Sequence, residues 1–207
     1  MLNRILKIAF QVTTMGMSKP FTLTRHSMYT ALSEIGTSIE QKTGRVLAIS
    51  HSENLVDLLG LSPTEIVSAN YPEKNILNLD LANDSFDFVL SDQVLEHIEG
   101  DPQLAIDECY RVLKRGGVSI HTTCFMNPVH GVPKDFWRFT PEALELLHKQ
   151  FSEVIAVGGW GNFKALWLMR KGLRFTGVPS ASWHPLHRVA VKNESDWPVT
   201  VWIAARK

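Results

Sequence analysis

Phe86-Asp87-Phe88-Val89-Leu90-Ser91-Asp92-Gln93-Val94-Leu95-Glu96-His97-Ile98 is the stretch that decides the fold. Its first six residues are mostly apolar, as expected of a strand buried on both faces of a sheet. Polar residues able to cap a helix or line a site follow at once. A helical pattern then runs from about Gln103 to Lys114, with Leu104, Ala105, Cys109, Val112 and Leu113 as its apolar stripe. Gly116-Gly117 stops it, and Val118-Ser119-Ile120-His121-Thr122 reads as the next strand. Strand, helix, strand in this order argues for a parallel pair joined by a crossover.

The same alternation extends both ways. Upstream, Thr24 starts a helix reaching about Thr43, with Met28, Leu32, Ile35 and Ile39 on one face and Gly44 as its stop. Residues 45–49 and 65–69 read as the first two strands, with a short helix over 53–59 between them, and 76–81 as a brief third. Downstream, Thr140-Pro141-Glu142 is a helix start: a capping hydroxyl, proline at the first position, then an acid. Residues 154–157 form a sixth strand, and 162 to about 173 another helix. A late strand over 199–204 follows, pairing with 188–191. Residues 176–188, with Pro179 and Pro185, read as a loop or lid. These elements predict one α/β domain over 1–207: a doubly wound, mainly parallel seven-stranded sheet with an antiparallel edge strand.

Composition narrows the function classes. Lys+Arg and Asp+Glu both count 21, so no broad electrostatic footprint for nucleic acid exists and no such partner is expected. Cys109 and Cys124 are too few for a disulfide framework or a four-ligand zinc site; they read as reduced thiols in a cytoplasmic protein. His121, His130, His184 and His187 are scattered, His184-Pro185-Leu186-His187 reads as a polar loop, and no metal is expected. No apolar run approaches the roughly 20 residues of a transmembrane helix. In residues 1–16, Leu2, Ile5, Leu6, Ala9 and Val12 are interrupted by Arg4 and Lys7. That is an amphipathic helix within 1–20, packed on the domain or making peripheral membrane contact, and not a signal peptide.

The stretch 86–98 resembles the fourth-strand motif of class I S-adenosylmethionine-dependent methyltransferases. Arg111-Val112-Leu113-Lys114-Arg115-Gly116-Gly117 resembles the helix end and fifth-strand start of the same family. His130, Pro133, Asp135, Arg138 and Thr140 resemble the downstream segment of a bacterial subgroup. The likeness is strong over about 71–154 and is nearest to the small methyltransferase type eleven domains. It implies a Rossmann-like methyltransferase fold, S-adenosylmethionine as cofactor, and a site on the carboxyl ends of the strands.

Three positions depart from the family pattern. The glycine-rich loop after the first strand aligns with Ser50, His51, Ser52 and Asn54, none of them glycine, and Ala48 replaces the acid that usually precedes the loop. Asn tolerates a left-handed backbone, and Ser less readily. Asn70 stands where a carboxylate usually accepts both ribose hydroxyls; a neutral amide there costs about 1–2 kcal/mol of binding. Asn75 stands where an acid commonly faces the adenine amino group. The resemblance therefore implies cofactor contacts from Ser50, His51, Ser52, Asn70, Asn75, Asp92 and Gln93, through a degenerate first motif.

Residues 121–138 fall on the acceptor side. Methyl transfer needs an aligned acceptor and, where the nucleophile carries a proton, a base. His130 and Asp135 are the candidates there, with His97 either a further base or a structural hydrogen-bond partner; a loop-stabilising network with Arg138 is the other reading of the first two. Phe136, Trp137 and Trp160 either line a pocket or fill core. The implied function is S-adenosylmethionine-dependent methyl transfer to a small-molecule or sugar-linked, glycan-type acceptor. A catalytically degenerate binding or regulatory module is the alternative. A nicotinamide dehydrogenase would need the glycine-rich turn and the second-strand acid, and an α/β-hydrolase a Gly-x-Ser-x-Gly elbow. Neither pattern is present.

Overall fold

The computed structural model describes residues 2–131 and 134–207, with side chains from residue 8 onward. Pro133 and the side chains of Leu2, Arg4, Ile5, Leu6 and Lys7 lie outside the described residues. In chain order the elements are α1 (Leu2–Thr13), α2 (His26–Ser38), β1 (Thr43–Ile49), α3 (Asn54–Leu58), β2 (Ser62–Ala69), β3 (Phe86–Asp92), α4 (Pro102–Val112), β4 (Leu113–Cys124), α5 (Pro141–Leu147), β5 (Glu153–Trp160), α6 (Phe163–Leu168), α7 (Pro185–Val191) and β6 (Thr200–Arg206). A single 3-10 turn, Leu95–His97, follows β3.

The strands form one sheet in the order β2-β1-β3-β4-β6-β5. The pairs from β2 to β4 are parallel, and β6 runs antiparallel between β4 and β5. The sheet is buried on both faces. Phe88 and Leu90 pack with Met28 and Leu32 of α2, while Val89 packs with Ile106 and Cys109 of α4. That two-residue alternation sends neighbouring side chains to opposite layers, so the sequence of β3 reads as one apolar run.

Six strands form where seven were expected. Residues 76–81 make only an isolated bridge, Asn75 to Asn78. Side chains of α4 take the backbone groups that a sheet neighbour would have paired. Glu108 Oε2 accepts the Leu79 N–H at 2.7 Å, and Arg111 donates to the carbonyls of Leu79 and Leu81, both at 2.7 Å. The antiparallel strand is one place in from the edge, because β5 is outermost, and residues 188–191 belong to α7 instead of pairing with β6.

Local boundaries also differ. Helix α2 has Arg25, not Thr24, at its N-cap and ends at Ser38. On α4, Leu104 is exposed and Ile106 takes the buried position. That helix starts as a capped helix should: Asp101 accepts the Gln103 N–H at 2.8 Å, with Pro102 at the first position. It ends at Val112, and the chain passes straight into β4 through Gly116-Gly117. A Cβ on Gly117 would lie 2.9 Å from the Asp87 carbonyl oxygen, so close strand approach requires glycine there.

His184 is a helix cap, not a free loop residue. Its Nδ1 accepts the Leu186 N–H at 3.1 Å. Its proton is therefore on Nε2, which lies 3.3 Å from Thr13 Oγ1. Together with Phe10 against the His184 ring at 6.1 Å, this seats α1 on the domain, and Ile8, Val12 and Met15 remain exposed. Among the described residues no helix is long and apolar enough to cross a membrane. Both cysteines are buried and unpaired with each other.

Candidate active site

The carboxyl ends of β1, β3 and β4 meet at the reversal of strand order, the place where open α/β sheets bind ligands. The turn leaving β1 holds Ser50 at φ 52° and His51 at φ 64°. The left-handed turn that glycines would favour is therefore kept by other residues. Hydrogen bonds explain how. Ser50 N–H donates to the Ala69 carbonyl at 3.0 Å, and His51 N–H to Asn70 Oδ1 at 2.9 Å. Ser52, fully buried, donates through Oγ to the Ile49 carbonyl and accepts the Asp92 N–H at 2.8 Å.

Asp92 is the centre of this half. Thr122 Oγ1 donates to its Oδ1 at 2.6 Å, and the Tyr29 hydroxyl donates to Oδ2. Asn54 Nδ2 reaches Tyr29 OH at 3.1 Å and Asp92 Oδ2 at 3.5 Å. Burial, reinforced by the Asp92 carboxylate, pushes the Tyr29 phenol up to about 12. Gln93, at φ 59°, donates through Nε2 to the Thr123 carbonyl at 2.9 Å. Ser50, His51, Ser52, Asn70, Asp92 and Gln93 thus share one rim. Asn75 is exposed and caps the Leu77 N–H at 3.0 Å in the turn beyond β2.

The second half lies at the end of β4. Glu96 is fully buried. Thr123 Oγ1 donates to its Oε2 at 2.8 Å, and its Oε1 has no partner among the described residues. His130 Nε2 stands 3.9 Å from that free oxygen, and His130 Nδ1 stands 3.1 Å from Asp135 Oδ2. Arg138 grips Asp135 with two nitrogens, at 2.5 and 2.6 Å, and the His130 N–H adds a third bond at 2.7 Å. The Arg138 bonds, foremost, hold the Asp135 carboxyl well below the usual carboxylate range. His97 donates through Nδ1 to the Lys134 carbonyl at 2.6 Å and meets the His130 ring edge-on at 5.1 Å. His130, Asp135 and His97 therefore come together, in one network with Arg138 that ties the loop.

Glu96, Cys124 and His130 place a carboxylate oxygen, a sulfur and an imidazole nitrogen within 4.8 Å of one another. Burial, then Glu96, pushes the Cys124 thiol up to about 12, so it stays protonated. Arg138 and Arg174 exert their charge on the same group. That is a poor setting for a cation. Beside it, Met126, Asn127, Phe163, Trp167, Arg170 and Trp197 line a mainly apolar pocket of about 250 Å³.

Comparisons with known proteins agree with this layout. Residues 32–121 match the methyltransferase domain family. Over that stretch the chain is similar to methyltransferase domains. The matched segment contains β1, β2, β3 and most of β4, with Ser50, His51, Ser52, Asn70, Asp92 and Gln93 of the rim. No curated protein matches the chain significantly. Solved structures share the fold. A Thermotoga maritima S-adenosylmethionine-dependent methyltransferase, described as a possible histamine N-methyltransferase, is 18% identical over 86% of this chain and 89% of that one, at a TM-score of 0.53. An Archaeoglobus fulgidus S-adenosylmethionine-dependent methyltransferase is 13% identical over 97% and 99%, at 0.53. A Haemonchus contortus phosphoethanolamine N-methyltransferase 2, solved with S-adenosyl-L-methionine, is 16% identical over 87% of this chain and 52% of that one, at 0.55. At these identities the likeness is one of fold.

The cofactor of this domain class is S-adenosylmethionine, and the rim of the methyltransferase domain fits it. The left-handed turn at Ser50-His51 is kept, and Asp92 and Asn54 present polar groups beside it. Several residues of the site were not among those singled out from sequence. Tyr29 carried no local signal, because only tertiary contact brings it to the rim, and Thr122 and Cys124 fell within residues 121–138 without being picked out as contacts of the site.

Proposed function

We propose that the domain transfers the methyl group of S-adenosylmethionine to a small-molecule or sugar-linked acceptor whose nucleophile gives its proton to His130. The cofactor supplies a methyl group on a positively charged sulfur. Everything else falls to the chain. Ser50, His51, Asn70 and Asp92 hold the cofactor side. His130 receives the proton at Nε2, since Nδ1 faces Asp135 at 3.1 Å and keeps the ring oriented. Asp135, clamped by Arg138, stays ionised and steadies the resulting imidazolium. The observation that carries the reading is this ordered Arg138–Asp135–His130 relay at the mouth of β4, beside buried Glu96.

A second reading has its own support. Asn70 Oδ1 is engaged by the His51 N–H, and both oxygens of Asp92 accept hydrogen bonds from Tyr29 and Thr122. A rim satisfied by its own side chains suits a binding module that has given up the cofactor. Calorimetric titration with S-adenosylmethionine and S-adenosylhomocysteine separates the two. A dissociation constant at or below about 100 μM is expected. His130→Ala should then leave that constant unchanged and lower turnover by about 10²–10⁴-fold on a responsive acceptor. No heat and no thermal shift at millimolar ligand overturns methyl transfer and leaves the binding module.

A further inference from the structure

The even charge balance of the chain conceals a segregation. Residues 1–33 carry Arg4, Lys7, Lys19 and Arg25 and no acid, and residues 154–193 carry six more cations, from Lys164 to Lys192, again with no acid. Together these two segments hold ten of the 21 Lys and Arg and none of the 21 Asp and Glu. The fold joins them. Leu23 N–H donates to the Thr176 carbonyl at 3.0 Å, Val178 N–H to the Phe21 carbonyl at 2.8 Å and Ser180 N–H to the Ser18 carbonyl at 2.9 Å. Ser27 Oγ donates to the Ala190 carbonyl at 2.5 Å. Leu23, Met28, Leu168, Leu173 and Leu186 lie beneath in one core cluster, while α4 and α5 cover the other layer of the sheet. Among the described side chains, only Lys192 of this basic set has a carboxylate within 4.0 Å, Glu194 at 2.5 Å.

The same face exposes apolar side chains. Phe10 and Thr14 turn α1 inward, Phe10 against the His184 ring at 6.1 Å and Thr14 buried. Ile8, Val12 and Met15, at spacings of four and three, form the helix's solvent-facing stripe, with Val12 62% and Met15 78% exposed. Trp183, 62% exposed, has its ring 5.8 Å from that of His184. Phe175, 75% exposed, shares an open cleft of about 380 Å³ with Phe10, Gln11 and Lys19. Cations sit among these rings: Arg174 lies over Phe175 at 5.1 Å and Lys171 over Trp167 at 5.4 Å. Contiguous exposed apolar groups mark an interaction surface. A nucleic acid would use the cations and leave the aliphatic stripe in water. A second copy of this face would set like charges against each other. An anionic membrane surface uses both features, with apolar side chains entering the acyl boundary and cations meeting the headgroups.

We propose that α1, with Phe175 and Trp183 beside it, docks the domain on a bilayer containing anionic phospholipid. The 12 residues of α1 are too few to span a bilayer, which takes roughly 20, so the helix lies in the plane of the interface. The basic segments beneath and beside it supply the charge attraction. This docking is independent of methyl transfer, since no residue of the rim takes part in it.

The test sediments the full chain with vesicles of phosphatidylcholine alone and of phosphatidylcholine with about 30% phosphatidylserine, at about 0.1 M salt. The anionic vesicles should carry the protein down and the neutral ones leave it in solution. Raising the salt to about 0.5 M should weaken the binding. Val12→Asp puts a charge on the apolar stripe, and Lys19→Glu reverses an exposed cation beside it. Each should weaken binding by at least about tenfold, with folding checked by circular dichroism. Lys149→Glu makes the same charge reversal at an exposed position just past α5, on the opposite layer, and should change nothing. An equal loss in Lys149→Glu would assign the binding to net charge and overturn the proposal. So would equal binding to both kinds of vesicle, or binding to neither. Displacement of the protein from vesicles by duplex RNA, with Val12→Asp binding as wild type does, would assign the face to nucleic acid and overturn it too.

Discussion

The side-chain carbonyl of Asn70 accepts the backbone N–H of His51 at 2.9 Å, tying the end of β2 to the turn that leaves β1. Asn70 stands where a carboxylate would meet the ribose, yet its oxygen is occupied in holding a left-handed residue. Aspartate can accept the same N–H and still offer a second, charged oxygen. Asn70→Asp should therefore tighten S-adenosylhomocysteine binding by about tenfold, the difference between charged and neutral hydrogen bonds. Calorimetry reads this directly. An unchanged constant would place the ribose away from β2.

Asp92 and Tyr29 separate cofactor binding from packing. The carboxylate takes a bond from Thr122 at Oδ1 and from Tyr29 at Oδ2, and Asn54 reaches Oδ2 as well. Asp92→Ala should weaken S-adenosylhomocysteine by at least about tenfold, because a charged acceptor is lost from the rim. Tyr29→Phe removes the donor to Asp92 and the acceptor of Asn54, and should cost about 1 kcal/mol of stability with cofactor affinity nearly unchanged. Equal affinity losses in the two variants would mean that Tyr29 itself touches the cofactor.

Arg111 does the work of a missing strand. It donates to the carbonyls of Leu79 and Leu81 and to Asn83 Oδ1, while pairing with Glu108 at 2.7 Å. The Arg111 bond holds the Glu108 carboxyl below its ordinary value. Arg111→Ala frees two backbone carbonyls and leaves a part-buried acid unpaired, so a loss of about 2–3 kcal/mol is expected in urea unfolding. Glu108→Gln keeps an acceptor for the Leu79 N–H and should cost less. A loss in Arg111→Ala within 0.5 kcal/mol of zero, the size of an ordinary surface change, would show that residues 76–81 hold without it.

These same residues show where sequence reading succeeded and where it stopped. Strands β1, β3 and β4 are buried on both faces, so their apolar runs stand out, and the polar residues that directly follow them mark the rim. Asp92 and Gln93 were legible on the rim for that reason, whereas His130, beyond the end of β4, stood out only through the family resemblance. Residues 76–81 look like a strand because nothing local reveals that Arg111, 30 residues on, takes their backbone. Leu104 and Ile106 both fit a helical stripe, and only the position of α5 and the sheet decides which is covered.

His148 should make the fold sensitive to mild acid. It is 1% exposed, and its Nδ1 donates to the Leu144 carbonyl at 2.8 Å, while Nε2 has no partner. Burial pulls its pKa from 6.5 down to about 4. The neighbouring His121 ring, 5.3 Å away and bonded by Ser91 and Ser119, is lowered by burial too. Above pH 6.5 both states of His148 are neutral and stability does not depend on it. Between 6.5 and 4 the unfolded chain binds a proton that the folded chain refuses, so stability falls as pH falls. From pH 7 to pH 5 that single group removes about 2 kcal/mol. The depressed carboxyls of Glu108 and Asp135 act in the opposite window, losing their contribution only below the ordinary carboxylate range. His148→Leu fills the space without a titrating ring and deletes the orphaned Nε2. Its urea-unfolding free energy should therefore drop by about 2 kcal/mol less than wild type over that interval. Parallel pH profiles for the two proteins would show that His148 protonates without unfolding the core around it.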